Sequence, residues 1–430
     1  MKSSILLCLF FLALGAAARD AAPKPPENKP ALAATAPMRA AQITQIDSKS
    51  RDELGAFFRN LRAAGIDTVI VRMFQNPGDG FFKLCAPAAA TGYYFKTSSA
   101  PVVCDLAGVI ADEAHKSGLK FYAWMNSRYA DYGIEDRRDL HSRAFDFAAG
   151  KYLPARGLCI FHPEVAWRLQ SLYSDLAQYP IDGVLIQDDL MLKHNEDFNP
   201  VAVLQYEKET GKRAEPALFY QDVKVRDNKV QVGSYTEDFW AWSRWKAAKL
   251  TALAERLRAV VRSRIPAARV GFNFYYETGL KPDKALAWFS QDVKMASARD
   301  CDFYSLMLYH RQMKSELDFS NSELDSAVRL ASGNFIDATT PGKEPLVKLM
   351  TKDFKTSESI PETELERIID QIPGRGRAGV AFFQVSAGME KELAELIKHW
   401  GKTDESKNNV RAPAHSPVGG SRLGLQTQTR

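Results

Sequence analysis

The stretch at 179–199, YPIDGVLIQDDLMLKHNEDFN, decides the fold reading, because a short apolar run ends there in a cluster of acids. From Ile181 to Ile186 the chain is β-branched and apolar apart from Asp182 and one Gly, as expected of a parallel strand covered on both faces. Gln187, Asp188 and Asp189 end the run, and Glu196 and Asp197 follow on the same loop. In a parallel barrel the chemistry sits at the carboxyl ends of the strands, so acids placed directly after such a run face the site where substrate would bind.

Outward from this stretch the same unit repeats. AAQITQID alternates into a first strand ending at Asp47, and RDELGAFFRNLRAAGID follows with apolar positions at helical spacing. Runs at 66–74 and 120–126 flank a second helix, LAGVIADEAHKSGLK, and HPEVAWRLQSLYSDLAQYP supplies a third before the acidic strand. A long helix, FWAWSRWKAAKLTALAERLRAVVRSRI, comes after it; its Trp240, Trp242 and Trp245 read as outer-layer core. Four more strands are expected at 269–276, 302–309, 345–351 and 379–387, each set apart by helix-like sequence. Parallel neighbours need long return paths, so strand and helix in alternation imply crossover connections. Eight such units predict a single α/β domain, a (β/α)8 TIM barrel with loop insertions, over 39–400; a doubly wound sheet is the alternative.

The ends differ in composition. Residues 1–18 have one Lys, an apolar stretch and an Ala-rich end, the layout of a secretory signal peptide too short to span a membrane. Residues 19–38 read as a flexible lead and 401–430 as a disordered tail. Export implies an oxidising compartment, periplasmic or secreted, in which cysteines can pair. Cys85 and Cys104 bracket a Gly/Ala/Ser-containing inserted loop and are the favoured disulfide, with Cys159 and Cys301 read as buried small hydrophobes. With 57 basic against 52 acidic residues and no dense Lys/Arg run, a nucleic-acid partner is not expected.

The predicted strand ends are acid-rich and aromatic. Glycoside hydrolysis needs one carboxyl group to protonate the leaving oxygen and a second group as nucleophile or base. Asp188, Asp189 and Glu277 are the candidate catalytic set, with Asp189 favoured as general acid, although one of the two adjacent Asp residues could instead cap a helix or pair with Arg72 or Arg128. Asp47, Arg72, Trp124, Asn126, Asn273, Tyr275 and Tyr309 lie at strand ends as candidate substrate-binding residues, aromatic faces being suited to stack on sugar rings. Glu196 and Asp197 join them as a negative rim for a cationic sugar, with a helix cap at 195–199 as the alternative. The seven histidines form no H-x-x-x-H or H-E-x-x-H, no C-x-x-C occurs, and G-x-S-x-G, P-loop and dinucleotide fingerprints are missing, so neither a metal nor another cofactor is expected.

FYAWMN at 121–126, IDGVLIQDDLMLKHNEDFNP at 181–200, FWAWSRWKAAKLTALAERL and FYSLMLY at 303–309 together resemble the C-terminal glycoside hydrolase domain (family 153) of bacterial poly-β-1,6-N-acetylglucosamine N-deacetylases. More broadly they resemble family 10-like glycosyl hydrolase barrels. The family usually has a bulky residue, His, Asp, Asp and Ala at the acidic motif, so Gln187 and Leu190 depart from it while both aspartates are kept. The resemblance implies an endo-acting hydrolase of partially de-N-acetylated poly-β-1,6-N-acetylglucosamine, a cationic biofilm exopolysaccharide, working beside the exopolysaccharide export machinery. An acidic cleft suits ammonium-bearing sugars. The alternatives are a non-catalytic exopolysaccharide-binding barrel and a glycosidase acting on another cell-wall or extracellular glycan.

Overall fold

The computed structural model describes residues 36–226 and 229–402. Eight parallel strands close into a barrel: β1 (Arg39–Ile43), β2 (Thr68–Arg72), β3 (Lys120–Met125), β4 (Gly183–Ile186), β5 (Arg269–Tyr275), β6 (Phe303–Met307), β7 (Glu344–Met350) and β8 (Gly379–Phe383). Each pairs with its neighbour in sequence, and β8 returns to β1 through the register Arg39 with Val380 to Gln42 with Phe383. The (β/α)8 barrel expected from the alternating pattern is therefore the fold. The signal peptide, nearly all of the flexible lead and the tail beyond Lys402 lie outside the described residues.

Strand composition explains closure. β2, β4, β6 and β8 are buried at every position, since helices cover one face and the barrel interior the other. Interior space is shared between large and absent side chains. A Cβ on Gly183 would sit 2.7 Å from the Tyr122 ring, and one on Gly271 would sit 2.7 Å from the Phe303 ring. The glycines let those aromatics fill the lower barrel.

The return helices start where capping chemistry places them. Ser50 accepts from Glu53 N at the head of Arg51–Ala63, and Thr236 from Phe239 N at the head of Glu237–Arg264. Within that long helix Trp242 is fully buried and stacks on Trp245 at 5.0 Å, which in turn stacks on Phe161 at 4.7 Å. These tryptophans are outer-layer core, as their spacing predicts.

Two insertions shape the upper face. The loop after β2 is closed by the Cys85–Cys104 disulfide, while Cys159 and Cys301 are buried free thiols. After β3 an antiparallel hairpin, His141–Asp146 with Lys151–Leu158, lies over the loop that follows β4: Phe145 N donates to Asn195 O and Phe198 N to Arg143 O, both at 2.9 Å. The sequence pattern gives no warning of this hairpin.

Observed strands end earlier than the apolar runs. β8 stops at Phe383 rather than at 387 because Gln384 takes a left-handed backbone, φ +70°. β6 stops at Met307, and Leu308 N turns to donate to both Leu306 O and Lys348 O.

Candidate active site at the barrel mouth

The strand ends converge on a mixed aromatic and charged floor. Trp124 from β3 meets Phe383 from β8 edge-on at 5.8 Å, and Tyr309, just past β6, stacks on Phe383 at 5.3 Å. Lys348 from β7 is buried among them, its Nζ donating to Asn273 Oδ1 at 2.7 Å and lying 5.8 Å from the Phe383 ring centre. Burial pushes this lysine down to about 7, against the attraction of Asp188. Asp188 is half-buried at the head of β4 and accepts from Tyr275 Oη at 3.2 Å; Tyr275 stacks on Phe289 at 4.5 Å. Trp124, Asn273, Tyr275, Tyr309 and Asp188 are thus brought together, and Lys348 joins them.

Asp189 goes elsewhere. It is 2% exposed, and its two oxygens accept from Ser127 N, Ser127 Oγ at 2.8 Å and Tyr129 N at 2.7 Å. Burial pushes its carboxyl up to about 6, opposed by those Tyr129 and Ser127 donors. The side chain clamps the turn after β3 and has no oxygen left over for a substrate.

Glu277 opens the short helix Glu277–Leu280 directly after β5. It is 8% exposed, and its Oε2 has no partner. Burial, reinforced by the neighbouring Glu316, pushes it up to about 7. A carboxyl group raised toward neutrality is chemically suited to general-acid work, and the unpartnered oxygen of this one is itself sealed from solvent.

The other predicted positions are engaged with the protein. Asn126 donates to Tyr129 O at 2.9 Å and Tyr132 Oη at 3.1 Å and accepts from Tyr93 Oη at 2.7 Å, so it supports the loop rather than facing the mouth. Arg72 pairs with Asp79 at 2.8 Å, and Asp47, expected at the end of the first strand, is exposed in the loop four residues beyond β1 and pairs with Lys83 at 2.9 Å.

Glu196 and Asp197 form no rim. Both are buried beneath the 141–158 hairpin. Glu196 pairs with buried Arg128 at 3.0 Å, and Asp197 accepts from Ser142 Oγ at 2.8 Å and from Arg143 N and Asn199 N at 3.0 Å. The capping alternative does occur one step on, where Asn199 Oδ1 accepts from Val201 N at 3.0 Å at the head of Pro200–Thr210. A hydrogen-bonded loop sandwiched between hairpin and barrel takes carboxylates inward once arginine and backbone donors await them.

Lys348 is the residue of the mouth that the sequence pattern did not single out. Its signal is a single cation in the apolar run PLVKLM, at a position whose register with Met307 and Ala381 turns it into the barrel. Among the described residues no cluster of His, Cys, Asp and Glu could hold a metal ion.

The sequence profile described as hypothetical glycosyl hydrolase family 13 matches residues 45–383, most of the chain. The chain belongs to that family. It is thereby a glycoside hydrolase by descent. Poly-beta-1,6-N-acetyl-D-glucosamine N-deacetylases of Escherichia coli strains K12 and O157:H7 are each 26% identical over 243 residues, covering 53% of this chain and 31% of theirs. The chain thus spans about a third of the length of these curated relatives. Among solved structures, the glycoside hydrolase domain of PgaB (BpsB) from Bordetella bronchiseptica superposes with a TM-score of 0.64 at 19% identity, over 84% of this chain and 98% of that one. The catalytic domain of the beta-amylase from Paenibacillus polymyxa gives 0.54 at 10% identity, over 85% and 99%. The resemblance read from the acidic motif is borne out, and both superpositions show the barrel.

Proposed function

We propose that the chain is an exported endo-hydrolase of partially de-N-acetylated poly-β-1,6-N-acetylglucosamine, working in the periplasm or outside the cell alongside exopolysaccharide export. The observation that carries the reading is Asp188. It is the acid of the β4 motif that stands in the mouth, hydrogen-bonded to Tyr275 and within the field of Lys348. The curated relatives named for poly-beta-1,6-N-acetyl-D-glucosamine support the substrate class. In this scheme Asp188 acts on the anomeric side as nucleophile, base or stabiliser of the oxocarbenium-like transition state. Glu277, whose carboxyl burial pushes up to about 7, delivers the proton to the leaving oxygen. Asp189 is a positioning residue that fixes the Ser127–Tyr129 turn. Trp124, Tyr275 and Tyr309 offer faces for sugar rings.

Among the described residues no helix is long and apolar enough to cross a membrane. A binding barrel without turnover is the second reading. It is favoured by Gln187, which stands where the resembled family has His and leaves a buried Oε1 without a partner.

Incubation of the purified protein with the partially de-N-acetylated polymer, followed by mass spectrometry, tests the choice. Oligosaccharides that vanish with Asp188→Asn support the hydrolase. Polymer binding with no products supports the second reading, and neither product nor binding removes this polymer as the substrate.

A further inference from the structure

Beside the aromatic floor, the loops that follow β1, β7 and β8 enclose a cleft of about 300 Å³ lined by Gln45, Asp47, Lys352, Phe354, Gln384 and Ser386, among others. That volume is at the lower end of ligand-binding pockets, which run from about 300 to 1,000 Å³, and suits a small polar group rather than a large one. The cleft borders the aromatic floor of the mouth through Phe354. Phe354 forms its wall and touches the floor behind, meeting Tyr309 edge-on at 5.6 Å and Phe383 at 5.9 Å.

Three features distinguish this place from ordinary loop surface. Phe354 is 39% exposed although it packs on two buried aromatics, so one ring face stays open to solvent. Gln384 and Ser357, both lining the cleft, hold positive φ, +70° and +60°, without being glycine. A left-handed backbone at a non-glycine position costs stability, and such positions cluster where a site needs them. Finally, Lys352 Nζ lies 3.3 Å from Ser386 Oγ, and Gln45 Nε2 lies 3.4 Å from Asp47 Oδ1, so amide, hydroxyl and charged groups stand around the open aromatic face. An aromatic platform with a ring of short polar groups matches the two surfaces of a pyranose, apolar C–H faces and equatorial hydroxyls.

We infer that this cleft is a further sugar subsite, holding one pyranose unit of the glycan beyond the pair that flanks the cleaved bond. Phe354 stacks on the ring, and Gln384, directed by its left-handed backbone, bonds the ring's hydroxyl or amide groups. The inference rests on the hydrolase reading for the direction in which the chain runs, from the mouth over Tyr309 and Phe383 into the cleft. It makes the enzyme sensitive to chain length through residues that contribute nothing to bond cleavage itself.

The test compares short and long oligomers prepared from partially de-N-acetylated poly-β-1,6-N-acetylglucosamine, on the full chain and on Phe354→Ala, Gln384→Gly and Asp188→Asn. The expected readout is the ratio of kcat/KM for long over short oligomers, which falls about tenfold in Phe354→Ala, the equivalent of one aromatic contact. Gln384→Gly carries a second signature: relief of the backbone strain raises Tm, by about 2 °C in a domain of this size, while the length ratio falls. A merely structural glutamine would not couple those two changes. Equilibrium binding of the long oligomer, followed by tryptophan fluorescence, gives an arm independent of turnover, in which Phe354→Ala weakens affinity about tenfold. If Asp188→Asn abolishes cleavage while both cleft variants keep the wild-type length ratio and affinity, the subsite is overturned and the hydrolase reading stands. If the wild type turns over neither oligomer but the cleft variants lose affinity, the subsite stands and the hydrolase reading fails. If the wild type binds neither oligomer, the subsite falls as well.

Discussion

Replacing Lys348 by Met tests the electrostatics of the barrel mouth. The lysine is 1% exposed, donates to one carbonyl oxygen, Asn273 Oδ1, and has its ammonium pushed down from 10.5 to about 7 by burial. The sign follows from linkage. An unfolded lysine holds its proton up to about 10.4, so across the interval from about 7 to about 10.4 the unfolded state binds more protons than the folded one, and stability rises with pH. The burial penalty is full below about pH 7 and gone above the unfolded value. Each unit is worth about 1.4 kcal/mol, so between about pH 7 and about pH 9.5 wild type gains roughly 3 kcal/mol from this one group. Met removes that gain along with the ammonium and leaves Asn273 Oδ1 without its donor, a loss of about 1–3 kcal/mol that does not depend on pH. Urea denaturation of both proteins across that range, with the free energies subtracted at each pH, cancels every titration the two share. The variant's stability relative to wild type should fall steadily as pH rises, by about 3 kcal/mol in all. A difference that stays flat would refute the reasoning, because it would mean the ammonium is not desolvated in the folded barrel.

The remaining expectations concern separate parts of the molecule. Glu277, raised to about 7, must be protonated to act as acid, so kcat/KM should fall as pH rises through about 7, and the falling limb should be missing from whatever activity Glu277→Gln retains. Glu196→Gln leaves Arg128 buried with no carboxylate to pair with; urea denaturation should show a loss of about 3–5 kcal/mol, and a loss under about 1 kcal/mol would deny that the pair holds the hairpin. Gly271→Ala places a Cβ 2.2 Å from Phe303 O in neighbouring β6, which backbone cannot easily yield, and thermal melting should register a destabilisation of about 3 kcal/mol or more.

How much of this was legible depended on whether the information was local. All eight barrel strands could be read because each is an apolar run bounded by turns, and burial on both faces removes polar residues from them. The helices were readable from spacing, and Ser50 and Thr236 cap two of them. The 141–158 hairpin was not, since much of its second strand is exposed and carries no apolar alternation. The fate of Glu196 turned on Arg128, 68 positions away, and a pairing of that separation leaves no mark on either stretch. Lys348 was written plainly in an apolar run, yet only the register with β6 and β8 says that it points inward.

The pair Asp188 and Asp189 shows why two equal letters divide their labour. On an extended strand adjacent side chains face opposite ways. β4 ends at Ile186, and although Gln187 N still donates to Met125 O at 2.7 Å, the chain then turns, with Leu190 N donating back to Gln187 O. The turn sends Asp188 up beside Tyr275 from β5 and Asp189 sideways into the loop that leaves β3. Those destinations set their chemistry. Asp189 meets the bare N–H groups of Ser127 and Tyr129, which a carboxylate satisfies better than any neutral side chain. It thereby fixes Tyr129, whose ring lies 4.2 Å beneath the Arg156 guanidinium of the hairpin. Asp188 meets one phenol and a distant ammonium, and keeps an oxygen for something that is not protein. A substitution at Asp189 therefore reaches the mouth only by loosening the Ser127–Tyr129 turn, so Asp189→Asn should lower Tm and activity together, whereas Asp188→Asn should remove activity from a protein that still melts near the wild-type temperature.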